Sequence, residues 1–101
     1  MTNGFTSFDA SSYIDGDEAA IAFLADAMET NDATFIASAI GDVARAKGMT
    51  AIAKETGMSR ESLYRALSGD GNPQLSTVLK VLEAMGLKLS VEPVSKTSDA
   101  A

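Results

Sequence analysis

Apolar residues recur at helical spacing along most of this chain, and the period changes to two only near its C-terminus. Residues 1–14 are rich in Ser, Thr and Asn, carry Phe5, Phe8 and Tyr13, and lack a helical period, so they read as an arm. Asp15-Gly16-Asp17-Glu18 then offers a carboxylate cap with Glu three residues on, a capping-box arrangement. Ile21, Leu24 and Met28 come next as one stripe, which stops near Thr30-Asn31. Asp32 is placed to cap the next helix, with Phe35, Ile36, Ala39, Ile40 and Val43 as its stripe. Arg45 and Lys47 suit the negative end of that helix dipole, and Gly48 supplies a stop. Two short helices are expected at about 49–56 and 60–68, then a loop, Ser68-Gly69-Asp70-Gly71, with two glycines available for left-handed backbone. Asn72-Pro73 reads as a cap and first helical residue, opening a helix with Leu75, Val78, Leu79, Leu82 and Met85 on one side and Gly86 at its end.

The pattern therefore predicts an all-α bundle of about five helices with one short C-terminal strand, since Leu87 to Glu92 alternate apolar and polar until Pro93. An isolated strand cannot satisfy its own backbone. Leu87, Leu89 and Val91 thus imply a partner strand, either from a second copy, giving a homodimer, or from the N-terminal arm of the same chain. The expected organisation is an acidic arm and helix at 1–31, a helical domain at 32–86, the strand at 87–93 and a flexible tail at 94–101.

Within the bundle, residues 49–69 carry the most specific signal. Ile52 and Ala53 share one face, Gly57 breaks the run, Ser59 can cap the second helix, and Leu63, Ala66 and Leu67 form an inward stripe. Two short helices joined by a tight glycine-bearing turn make the helix-turn-helix that presents its second helix to the DNA major groove. Arg60, Glu61, Tyr64 and Arg65 are then left outward as candidate base contacts. Arginine suits bidentate contact with guanine, and Glu61 could accept from cytosine or simply serve the helix dipole. Thr50, Lys54, Ser59 and Ser62 are the matching candidates for phosphate, which position without specifying sequence. The expected ligand is double-stranded operator DNA.

Charge refines this reading. The net charge is −6 over 101 residues. Residues 1–33 hold seven acids and no Lys or Arg, whereas residues 45–65 hold five bases against two acids. Because screening confines such fields to roughly 8–10 Å, an acidic front and a basic middle can serve different partners, although an acidic segment is equally readable as a solvated face. Cysteine and histidine are absent, which removes disulfides, thiolate metal sites and the commonest general base. No cofactor or metal is implied. Ser59, Ser62 and Lys54 could be cast as a Ser–Lys pair, but nothing orients them and capping explains them better, so an enzyme is not expected. No membrane span or secretory signal is present, and the expected location is cytoplasmic.

From Ile36 to Gly86 the chain resembles Cro/repressor-type, lambda-repressor-like helix-turn-helix domains, with Ile52-Ala53, Gly57, Met58 and Leu63 at the matching small, turn and core positions. Thr56 departs from that pattern, where an apolar residue is common. Over about residues 8–93 it resembles the bacterial addiction-module antidote proteins, the antitoxins of type II toxin–antitoxin pairs, most specifically in GMSRESLYRALSGDGNP. The resemblance implies a small basic toxin of the RelE/HigB kind, an mRNA-cleaving ribonuclease, and repression of a shared promoter. A basic toxin surface would be met by Asp9, Asp15, Asp17, Glu18 and Asp26, with Phe5, Phe8 and Tyr13 as anchors; the C-terminal helix and strand stand as the other possible contact. A stand-alone dimeric repressor without a toxin, or an interaction module that has lost DNA binding, would share the same motif.

Overall fold

A computed structural model describes residues 11–94, with side chains from Glu18 onward. Five helices succeed one another: α1 (Ser11–Glu29), α2 (Ala33–Lys47), α3 (Met49–Thr56), α4 (Arg60–Ala66) and α5 (Leu75–Ala84). Among the described residues there is no strand, so the architecture is all-α. The remainder of the expected arm and tail, residues 1–10 and 95–101, lies outside the described residues.

The helix ends show why the chain breaks where it does. Asn31 adopts a positive φ of 55°, closing α1. The Asp32 carboxylate accepts from Thr34 and Phe35 N–H at 3.0 and 3.2 Å, satisfying two of the free donors of α2. Between α3 and α4 stand only Gly57, Met58 and Ser59. Gly57 sits at φ 76°, ψ 13°, where a side chain is strained. Ser59 Oγ accepts from Ser62 N–H at 3.0 Å and caps α4. Thr56 has its own role: its hydroxyl donates to Ile52 O at 2.8 Å and accepts from Met58 N–H at 3.3 Å. It ties the turn together with polar bonds where an apolar residue would use packing.

Ile40, Leu63, Leu67 and Val81 are fully buried and form the centre of the core, joining α2, α4 and α5 with the loop after α4. α1 packs on α2, and α5 packs on α3 and α2. α1 contributes Ala20, Leu24 and Ala27 to this same core. Two glycines permit close approaches. A Cβ on Gly41 would strike the Leu67 carbonyl oxygen, so α2 meets the end of α4 at backbone distance. A Cβ on Gly71 would lie 2.6 Å from Arg65 O and closer still to Ala66 O, so the loop folds back over the end of α4.

Several expectations need correction. α1 begins by Ser11, so the Asp15–Glu18 capping box lies inside a helix and residues 11–14 are not arm. One internal glycine, Gly16, costs a helix only about 1 kcal/mol and does not stop it. α5 is capped at Gln74, two residues later than Asn72-Pro73 implied; proline biases Asn72 toward extended backbone while the chain is still crossing the end of α4. The glycines of the 68–71 loop are not left-handed, since positive φ among the described glycines falls at 48, 57 and 86. Ile21, Phe35, Leu75 and Leu79 are exposed. In α1 the buried face is rotated by one residue onto Ala20 and Ala27, whose small side chains let α2 come near. In α5 it passes through Val81, which lies outside the expected stripe. Residues 87–94 are neither helix nor turn and find no strand partner among the described residues.

Candidate nucleic-acid interface

α4 is short, and its packing leaves one side free. Leu63 is buried, Ala66 is half-buried, and Leu67 just beyond the helix is buried; Arg60, Glu61, Tyr64 and Arg65 are exposed. These are the four residues expected to face outward, and the helix brings them onto one surface. Glu61 lies in the first turn and Arg65 in the last, which are the ends their charges favour.

Tyr64 is the middle of this surface. The Arg60 guanidinium lies 5.7 Å from its ring centroid, as expected for side chains one turn apart. The Arg45 guanidinium lies 5.9 Å from the same ring, although Arg45 belongs to the last turn of α2. Arg45 is further held by Asp42, Nη2 to Oδ1 at 2.6 Å. With both groups partly exposed, this pair fixes geometry more than it stabilises the fold. The arrangement depends on Gly41, one helical turn before Arg45 on the same side of α2. Its missing Cβ lets the end of α4 settle close enough for Arg45 to reach Tyr64.

The sequence pattern does not select Arg45 for this surface. Its position is explained by the helix dipole alone, and the contact with Tyr64 spans nineteen residues of sequence, which no local pattern reports. Of the phosphate candidates, Thr50 and Lys54 are exposed on α3, and Ser59 is exposed in the turn. Ser62 is half-buried beside it, and the Ser59 hydroxyl donates to Ser62 Oγ at 3.0 Å. Ser59 Oγ is thus occupied at the cap, while the Ser62 hydroxyl keeps its own proton to donate outward.

The candidates for a protein contact are described only in part. Phe5, Phe8 and Asp9 are outside the described residues. Tyr13, Asp15 and Asp17 fall within α1 with side chains not described, and Glu18 is exposed on the same helix. Asp26 and Glu29 are exposed farther along it. α1 packs on α2, and α4 packs on α3 and α2. Leu87 is half-buried against the core, whereas Leu89 and Val91 are exposed. The groove between α3 and α5, lined by Glu55, Thr56, Lys80, Glu83 and Ala84, presents exposed charges and no nucleophile–base pair. Among the described residues no group of acidic, His or Cys side chains could hold a metal ion. No described helix is long and apolar enough to cross a membrane.

The domain is thus all-helical, with two short helices across a three-residue turn and exposed arginines on the second. The model of a family described as probable addiction module antidote proteins matches residues 4–93, and the chain belongs to that family. It is 40% identical over 92 residues to an uncharacterised protein of Haemophilus influenzae, covering 91% of this chain and 95% of that one. No solved structure matches the chain.

Proposed function

We propose that this chain is the cytoplasmic antitoxin of a type II toxin–antitoxin module. It neutralises a small basic ribonuclease toxin of the RelE/HigB kind and, as a homodimer on double-stranded operator DNA, represses its own promoter. Membership of the antidote family supports the antitoxin role. The observation that carries the DNA-binding half is the arginine-flanked Tyr64 on the exposed side of α4, beside the exposed Thr50 and Lys54 of α3. In this reading α4 enters the major groove. Arg60, Glu61, Tyr64 and Arg65 meet base edges, while Thr50, Lys54, Ser59 and Ser62, joined by Arg45, meet the backbone. The acidic front, Asp9, Asp15, Asp17 and Glu18 with Phe5, Phe8 and Tyr13, takes the basic toxin.

The deciding experiment expresses any small basic reading frame found beside this chain's own, with and without this chain. Growth arrest by the neighbour alone, relieved on co-expression, is the expected result. A harmless neighbour, or one this chain does not restrain, leaves a stand-alone dimeric repressor as the reading.

A further inference from the structure

The chain closes α5 with a capped turn and then pairs its backbone with no other described residue. Gly86 N–H donates to Glu83 O at 2.9 Å and Leu87 N–H donates to Leu82 O at 2.8 Å, the paired bonds of a Schellman ending. From Lys88 to Val94 no backbone hydrogen bond reaches another described residue. In the same stretch Leu89 is 37% and Val91 95% exposed. A run of N–H and C=O groups left unpaired among the described residues, with apolar residues on alternate positions, is a template for another strand.

Two observations fix which residues would bond to that strand. In an antiparallel pair, residues alternate between turning their N–H and C=O toward the partner and away from it. The Leu87 N–H is already engaged by Leu82 O, and Pro93 has no N–H to give. Both are odd-numbered, so Lys88, Ser90 and Glu92 are the residues free to bond across a seam.

That phase has a self-complementary solution. An antiparallel pairing centred on Ser90 sets each position opposite the one whose number completes 180. Lys88 then faces Glu92, Leu89 faces Val91, and Leu87 faces Pro93. Opposite charges meet on one face, apolar side chains meet on the other, and the proline falls where no N–H is needed.

We propose that residues 87–93 pair with the same residues of a second copy about a two-fold axis through Ser90. The seam deepens, and rests on, the homodimer of the proposed function, but on none of its operator or toxin contacts. Register shifts of two residues would oppose Lys88 to Ser90 or to Val94 and lose the charge match, so the charges select one register.

The full chain contains no cysteine, which makes single-thiol variants direct probes. On the axis the two Cα atoms of residue 90 stand about 5.5 Å apart, within disulfide reach. Those of residue 92 stand about 14 Å apart, from four residue rises plus the strand spacing. Under mild diamide oxidation, Ser90→Cys is expected to form covalent dimer at least tenfold faster than Glu92→Cys. In sedimentation equilibrium, Lys88→Glu and Glu92→Lys should each raise the dimer Kd about tenfold, and the double swap should restore it. Equal oxidation rates, or a dimer indifferent to both swaps, overturn the seam and leave the operator and toxin assignments standing. A chain still monomeric at about 100 µM overturns the seam together with the homodimer on which it rests.

Discussion

A guanidinium resting on an aromatic ring has surrendered part of its rotamer freedom before any ligand arrives, which lowers the ordering cost of binding. Arg45 and Arg60 are both held in this way on Tyr64. Arg60→Ala and Arg65→Ala should each weaken operator binding by about 1–3 kcal/mol, most strongly at one base position. Their melting temperatures should stay close to the parent's, because both positions are exposed. Arg45→Gln should behave differently, weakening binding to all sequences alike and reducing the salt slope by about one. A fluorescence-anisotropy salt series on two operator variants separates the patterns, and parent-like binding by all three variants would remove α4 from the groove. Gly41→Ala sets two effects against each other. Alanine gains about 1 kcal/mol of helix propensity, but its methyl meets the Leu67 carbonyl, which cannot rotate aside. Overpacking of this kind costs about 1–3 kcal/mol, so net destabilisation is expected in urea denaturation.

At the scale of elements, some caps and breaks written by single residues were legible in the sequence, whereas the caps read at Asp15 and Asn72 fall inside α1 and in the loop before α5. Asp32, Gly57 and Ser59 each do locally what their chemistry suggests, because the groups they serve lie within three or four residues. The buried faces of α1 and α5 were less legible. A stripe such as Ile21, Leu24 and Met28 ranks residues by size, whereas the packed face of α1 uses Ala20 and Ala27 to bring α2 close. The Arg45–Tyr64 contact was not legible at all, since it arises only once Gly41 has set the spacing of two helices. The turn between α3 and α4 offers the sharpest test of an element. Gly57→Val forces a β-branched residue to φ 76°, where even an ordinary side chain costs about 1–2 kcal/mol. It should lower unfolding stability by at least that much and loosen α4. Thr56→Val keeps the shape but removes the longer of two bonds from Met58 N–H, which also donates to Ala53 O at 3.1 Å, and the hydroxyl's bond to Ile52 O, so a loss of about 0.5–1 kcal/mol is expected. Both are read in urea titrations, where equal stability of parent and variants would deny the turn its role.

For the whole molecule, the separation of charge is the organising feature. α1 bears exposed Glu18, Asp26 and Glu29 and packs on α2, while α4 bears Arg60 and Arg65. Screening over roughly 8–10 Å lets the two sets of charges act on different partners where they stand farther apart than that. Removing the acidic front by truncation would confuse this test, because Ala20, Leu24 and Ala27 of α1 lie in the common core and their loss would expose it. Neutralisation is cleaner. A chain carrying Asp15→Asn, Asp17→Asn and Glu18→Gln keeps the core residues and all of α4. Its unfolding midpoint and operator affinity at 150 mM salt should stay near the parent's. Its association rate with the basic toxin should fall about tenfold or more at low salt and converge on the parent's as salt rises, since steering between opposite charges is screened. Stopped-flow association across a salt series measures this directly. A toxin association rate that ignores the three substitutions would move the contact from α1 to the C-terminal helix and the segment after it. Operator binding strengthened by the same change would mean instead that α1 lies near enough to DNA to repel it.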